Sequence, residues 1–160
     1  MEQKILIFNI LLIFFISSFS LYAQENIKGN AKVIDGDTIQ IGKNKIRLHG
    51  IDAPEKNQKC IYLEKEWECG IKSTKNLIEL IKLRKVNCFK IEKDKYKRTV
   101  AECYVNSISI NKWMVKSGWA VAYKYYSKKY VEDEQFAKKN NLGIWVGTFE
   151  YPWEYRKKNK

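Results

Sequence analysis

A chain of 160 residues is long enough for one folded domain with a real core and too short for two ordinary ones. Its 45% hydrophobic and 14% aromatic content excludes disordered, collagen-like and mucin-like chains. Thirty Lys and Arg against eighteen Asp and Glu leave a formal charge of +12, which favours a polyanionic partner.

Lys4 is followed by an apolar run over residues 5–16, then Ser17, Ser18 and Ser20, and finally Leu21-Tyr22-Ala23. This reads as a signal peptide over residues 1–23, cut after Ala23, with an uncleaved membrane anchor as the alternative. Its removal takes away one cation, Lys4, and one anion, Glu2, so the basic charge is kept. Cys60, Cys69, Cys88 and Cys103 all follow that segment, and in an oxidising compartment they suggest two disulfides with three possible connectivities. A zinc site is the rival reading. It is disfavoured because no two of these cysteines are closely spaced and His49 is the only histidine.

Residues 24–150 are expected to form the domain and 151–160 a basic C-terminal tail, loose over residues 156–160. Strand patterning covers residues 30–51: Ala31 and Val33, Thr38 to Ile41, a turn at Gly42-Lys43-Asn44, then Ile46 to Leu48. Residues 52–68, with Pro54 and many charges, read as a loop entering a helix near Cys69, whose apolar face carries Ile71, Thr74, Leu77, Ile78 and Ile81. Residues 85–92 and 99–105 read as a hairpin in which Glu92 faces Thr99 and Cys88 faces Cys103. That facing, and the short loop between Cys60 and Cys69, predicts Cys60–Cys69 and Cys88–Cys103 as the disulfides. Helices are predicted over 110–117, ended by Gly118, and over 131–140, with Phe136 and Ala137 inward. Five short strands and about three helices suit an α+β fold, a small barrel with helices packed on it.

Two acidic clusters, Asp35-Gly36-Asp37-Thr38 and Asp52-Ala53-Pro54-Glu55, flank the predicted hairpin that carries Arg47. Each alone is also an ordinary turn or helix start. Together, oxygen donors without nitrogen or sulfur suit a hard cation such as Ca²⁺ or Mg²⁺. Only Arg47, Arg84, Arg98 and Arg156 are arginines in a chain whose default cation is lysine. Arg47 and Arg98 therefore suggest positions that need a planar fork for phosphate oxygens, although two surface cations would look the same.

Three segments in order, Asp35-Gly36-Asp37-Thr38, the run from Arg47 to Glu55, and Asp94-Lys95-Tyr96-Lys97-Arg98, resemble the staphylococcal nuclease family. The likeness continues through Gly118-Trp119-Ala120, Ala122-Tyr123 and Leu142-Gly143-Ile144-Trp145, about residues 28–146 in all. The resemblance implies a five-stranded OB-fold barrel and a Ca²⁺-dependent phosphodiesterase acting on DNA and RNA with little sequence preference. By position it implies Asp37, Asp52 and the Ala53 carbonyl as metal ligands, Glu55 as general base, and Arg47 and Arg98 on the phosphate. Lys95, Tyr96, Tyr123 and Tyr125 match positions where that family meets neighbouring phosphates and bases; core filling is the alternative for tyrosine and is expected to explain most of the ten. Lys97 departs from the pattern, standing where a glycine usually precedes the arginine.

The expected protein is a secreted or periplasmic monomer with nucleic acid as substrate, needing no protein partner. A non-catalytic OB-fold binder of single strands is the alternative, and a cationic envelope-binding protein a second.

Overall fold

The structure, a computed structural model, describes residues 25–159. The signal-peptide or anchor reading of residues 1–23 therefore lies outside the described residues. Among the described residues no helix is long and apolar enough to cross a membrane.

Five strands form the barrel. They are β1 (Asn26–Asp35), β2 (Thr38–Ile41), β3 (Asn44–Leu48), β7 (Lys85–Lys93) and β8 (Thr99–Val105). Antiparallel pairs run β3-β2-β1-β7-β8, and a parallel pair between β3 and β8 closes the ring, with Ile46 opposite Thr99 and Leu48 opposite Ala101. Closure removes the exposed edges that an open sheet would present. The barrel is filled by Ile39, Ile46, Leu48, Val86, Ala101 and Val105, all essentially inaccessible. Each such Ile or Leu contributes roughly 1.5–3 kcal/mol by leaving water. This is the OB-type α+β fold the sequence implies.

Smaller elements dress the barrel. β4 (Ile51–Asp52) pairs with β10 (Val121–Ala122), and β5 (Cys60–Tyr62) with β6 (Lys65–Trp67), so the expected loop over residues 52–68 contains a small hairpin. β9 (Ile108–Ser109) pairs antiparallel with the end of β8. Among the described residues four helices pack outside, where about three are expected: α1 (Cys69–Ile81), α2 (Ile110–Lys116), α3 (Val131–Lys139) and α4 (Pro152–Lys158), with a 3₁₀ turn at Gly143–Val146. The Ser109 side chain accepts the Lys112 N–H and starts α2, while Gly118 at φ +77° follows its end. Acidic residues at the start of α3 and Lys138 and Lys139 at its end match the helix dipole.

Several expectations are corrected. On α1 the inward face carries Thr74, Leu77 and Ile81 as expected, but also Ser73 and Leu80, while Ile78 points to solvent. Phe136 on α3 is 45% exposed rather than inward, its ring capped by the Lys116 ammonium at 4.9 Å, and Ala137 alone of the pair is buried. Cys88 does face Cys103, but a bulge between Lys90 and Glu92 shifts the hairpin register by one, so Glu92 faces Val100 and Lys93 faces Thr99. The tail is not loose: residues 152–158 are helical and docked.

Disulfides join Cys60 to Cys69 and Cys88 to Cys103, leaving no free cysteine among the described residues. Such bonds belong to an oxidising compartment. The first lies in a second, smaller core with Val121 and Ile144, against which Trp67, Trp145, Phe149, Tyr151 and Trp153 pack. From there the rings form a chain. Trp145 meets Phe149 edge-on, Phe149 meets Tyr151 edge-on, and Tyr151 stacks on Trp153, which stacks in turn on Tyr123.

Candidate active site

The acidic clusters meet because the backbone lets them. The β1–β2 turn approaches residue 53 so closely that a Cβ on Gly36 would lie 2.6 Å from the Ala53 Cβ and 2.2 Å from the Ser73 Oγ. At that approach the Ala53 N–H donates to Asp37 Oδ2 at 2.8 Å, and the Thr38 hydroxyl donates to Asp37 Oδ1 at 3.0 Å. On the other side, α1 packs against the Pro54 turn, where a Cβ on Gly70 would sit 1.8 Å from the Glu55 carbonyl oxygen. Gln58, fully buried, locks that turn: its N–H donates to the Glu55 carbonyl, and its Oε1 accepts the Glu55 N–H at 3.1 Å. Asp37 and Glu55 are thus both placed by close contacts that any side chain on Gly36 or Gly70 would obstruct.

Asp52 sits on β4 at 0% exposure. Arg47, one strand away, bridges the clusters: its guanidinium pairs with Asp37 through Nη1 and donates to Asp52 Oδ1 at 2.7 Å and to the Ile51 carbonyl at 3.2 Å through Nη2. Burial pulls the Arg47 pKa below the ordinary arginine value, the Asp52 charge and hydrogen bond oppose it, and the like charge of Arg98 adds to the lowering. Arg98 is nearby because parallel β3 and β8 run side by side. Two carboxylates held by one guanidinium converge on one small space.

Arg98 closes the Asp94–Arg98 turn. Its N–H and that of Tyr96 both donate to Asp94 Oδ1 at 2.9 Å, and its Nε donates to Asp94 Oδ2 at 2.6 Å. Lys97 adopts φ +63°, a left-handed conformation that a glycine would take without strain. Lys95 and Arg98 both lie over the exposed Tyr96 ring, at 5.1 and 5.6 Å. Tyr123 reaches the carboxylates through the β4–β10 pair, its N–H donating to the Gly50 carbonyl at 2.9 Å. Burial and then the Asp52 charge raise its phenol pKa, so it stays neutral at pH 7. Tyr125 is exposed and leans on Tyr123 at 6.5 Å between ring centroids. Beside this centre lies a cleft of about 370 Å³, lined by Tyr123, Lys124, Tyr125, Tyr151, Trp153 and Lys157 among others.

Sequence reasoning misses a second guanidinium bound to the carboxylates. Arg156, from α4, donates to Asp52 Oδ1 at 3.0 Å and Oδ2 at 2.8 Å, and to Glu55 Oε1 at 2.7 Å. Burial works against its charge, but the hydrogen bonds and charges of Asp52 and Glu55 outweigh it and raise its pKa. The signal available was compositional: Arg156 is a fourth arginine in a lysine-rich chain, within a stretch dense in aromatics. Asn111 is also missed. Buried, it donates to the His49 and Ala101 carbonyls and accepts the Cys103 N–H, tying the end of β3 to β8 and α2.

Among the described residues no three of His, Cys, Asp and Glu converge to bind a metal by themselves. The donors that do converge are two buried carboxylates beside the Ala53 peptide, an all-oxygen set already demanding positive charge, and these fit a hard divalent cation completed by water. The whole arrangement is a cluster of carboxylates held between guanidinium groups, with aromatic rings beside it.

Comparison with known proteins bears on which chemistry this is. A family model described as staphylococcal nuclease homologue matches residues 45–147. An uncharacterized endonuclease of Haemophilus influenzae is 35% identical, covering 99% of this chain and 88% of its own. A succinoglycan biosynthesis protein of Rhizobium meliloti is 36% identical over 81% of this chain and 70% of its own. A micrococcal nuclease of Shigella flexneri is 31% identical, covering 81% of this chain and 79% of its own.

Proposed function

From a chain that belongs to the staphylococcal nuclease family, and is a nuclease, we propose a Ca²⁺-dependent phosphodiesterase that hydrolyses DNA and RNA with little sequence preference. The observation that carries the reading is Arg47 bridging the buried carboxylates of Asp37 and Asp52, with Glu55 tied to Asp52 through a shared partner.

In this reading Asp37, Asp52 and the Ala53 carbonyl hold the cation. When bound, a divalent ion offsets negative charge on the phosphate and makes water more acidic. Glu55 accepts the proton of the attacking water, a contribution worth about 10²–10⁴-fold. The water oxygen bonds to phosphorus, one ester P–O bond breaks, and the departing oxygen takes a proton from solvent. Arg47 and Arg98 provide planar forks that match phosphate oxygens as charge builds on them. Lys95, Tyr96, Tyr123 and Tyr125 offer cations and rings to flanking phosphates and bases, where stacking tolerates any base. The charge of +12 supplies salt-sensitive affinity for the strand.

Export is part of the proposal: residues 1–23 direct the chain out of the cytoplasm, where the two disulfides form. It acts as a monomer. The deciding assay is release of acid-soluble nucleotides from denatured DNA with Ca²⁺ and then with excess chelator. Release that stops in chelator and returns with Ca²⁺ is expected; undiminished release in chelator refutes the metal reading, and binding without release favours the non-catalytic alternative.

A further inference from the structure

α4 holds to the barrel by side chains. Among the described residues its backbone hydrogen bonds stay within residues 151–159, and no ladder bond joins it to the sheet. Pro152 is buried and the Tyr155 hydroxyl donates to the Asn57 carbonyl at 3.4 Å, and two further contacts seat the helix: the Trp153 ring, stacked on Tyr123 with 5.4 Å between centroids and only 5° between planes, and the Arg156 guanidinium on Asp52 and Glu55. Both partners belong to the nuclease site proposed above. Arg156 takes Asp52 Oδ2 and shares Oδ1 with Arg47, so both oxygens of that carboxylate are engaged by cations. It also takes Glu55 Oε1, an oxygen a basic carboxylate needs for its proton. Trp153, stacked between Tyr151 and Tyr123, covers one face of the latter ring. Neither Asp52 nor Glu55 lines the neighbouring open cleft.

We propose that α4 is a latch in which Arg156 stands as an internal cation on Asp52 and Glu55, so that a divalent ion must displace it before the site can work. The inference rests on the reading of Asp52 as a metal ligand and Glu55 as base. A guanidinium and a hard cation seeking the same carboxylate oxygens exclude each other, and by linkage each weakens the other. The Arg156 side chain is 36% exposed, so water competes for its bonds and the closed state is favoured only modestly. A closed-to-open ratio of about 10 would make the apparent cation affinity about tenfold weaker than that of the open site. Opening requires rotation of the Arg156 side chain, parting of the Trp153–Tyr123 stack and release of the Tyr155 hydroxyl from the Asn57 carbonyl, with the barrel ladders untouched.

The test is calorimetric titration of Ca²⁺ into the full chain without nucleic acid, using the parent, Arg156→Gln and Asp52→Asn. Arg156→Gln should bind about tenfold more tightly than the parent, and Asp52→Asn should lose binding. Equal or weaker binding by Arg156→Gln, with Asp52→Asn inactive in binding, overturns the latch and leaves the metal reading standing. Binding that ignores Asp52→Asn, or no binding by any of the three, overturns both. A second measurement needs no variant: amide hydrogen exchange over residues 153–158 of the parent should quicken at saturating Ca²⁺, and unchanged protection overturns the latch.

Discussion

Replacing Gly36 by Ala tests whether the approach of the β1–β2 turn to residue 53 sets the site. Gly36 has no left-handed φ, so its backbone accepts alanine, and chain entropy alone would stabilise the variant by about 0.4–1 kcal/mol. The contacts predict the opposite sign. The new Cβ would meet the Ser73 Oγ at 2.2 Å and the Ala53 Cβ at 2.6 Å. Ser73 is restrained because its hydroxyl donates to the Trp119 carbonyl at 2.7 Å, and the Ala53 methyl has no rotamer to change. The turn must therefore retreat by about 1 Å to restore ordinary carbon contact. The 2.8 Å bond from the Ala53 N–H to Asp37 does not survive that retreat. Overpacking costs about 1–3 kcal/mol and a lost charge-assisted bond about 1.5–3 kcal/mol; relaxation exchanges one for the other, so roughly 2–3 kcal/mol is expected. Urea denaturation should show that loss, with a melting temperature lower by roughly 5–10 °C. Nucleotide release should fall as well, since Asp37 moves with the turn. Adding Ser73→Gly removes the nearer clash and should restore about half the stability. A Gly36→Ala variant as stable as the parent, or a double variant that merely sums both losses, would refute the argument.

Glu55→Gln keeps size and polarity but not basicity, so turnover should fall about 10²–10⁴-fold while strand affinity holds; equal losses of both would remove Glu55 from the role of base. Lys97→Gly should relieve about 1–2 kcal/mol of left-handed strain against about 0.5–1 kcal/mol of added chain entropy, for a net gain near 1 kcal/mol in urea melts; a clear loss of stability would contradict that balance. Burial pushes the Glu102 carboxyl up, but hydrogen bonds from Lys129 and Tyr130 hold it below its ordinary 4.5. A lowered folded-state pKa means stability that is full at neutral pH and lost as pH falls below 4.5, so Glu102→Gln should flatten the acid limb of a plot of urea midpoint against pH; an unchanged limb would show that other groups govern it.

How far the fold could be read ahead depended on whether a feature left a local pattern. Alternation at Ile39 and Ile41, and at Ile46 and Leu48, marks two barrel strands because one face is buried. Cysteines at 88 and 103 fix their own facing, but the bulge beside Glu92 leaves no trace in periodicity. The face of α1 was misplaced at Ile78 because composition cannot say which side of an apolar helix meets the barrel. The acidic clusters and Arg98 were visible through their turns. Arg156 was not: it meets Asp52 across 104 positions, and the ring stack that seats it joins Trp153 to Tyr123 from separate segments. Such contacts are products of tertiary closure and carry no short-range signature.

The parallel junction of β3 with β8 has a consequence for how the chain comes of age. Antiparallel neighbours can zip from a local turn, but strands separated as Ile46 is from Thr99 meet only after a long loop has closed, a slow and late event. The acidic half is complete in sequence by Glu55, yet Arg98 can be set beside Arg47 only when that junction forms, and α4 arrives later still. A chain emerging from its N-terminus therefore carries the two halves of the cleft apart until β8 is free to join β3. The two forks come together in one step, so a chain that ends before β8 never pairs Arg47 with Arg98.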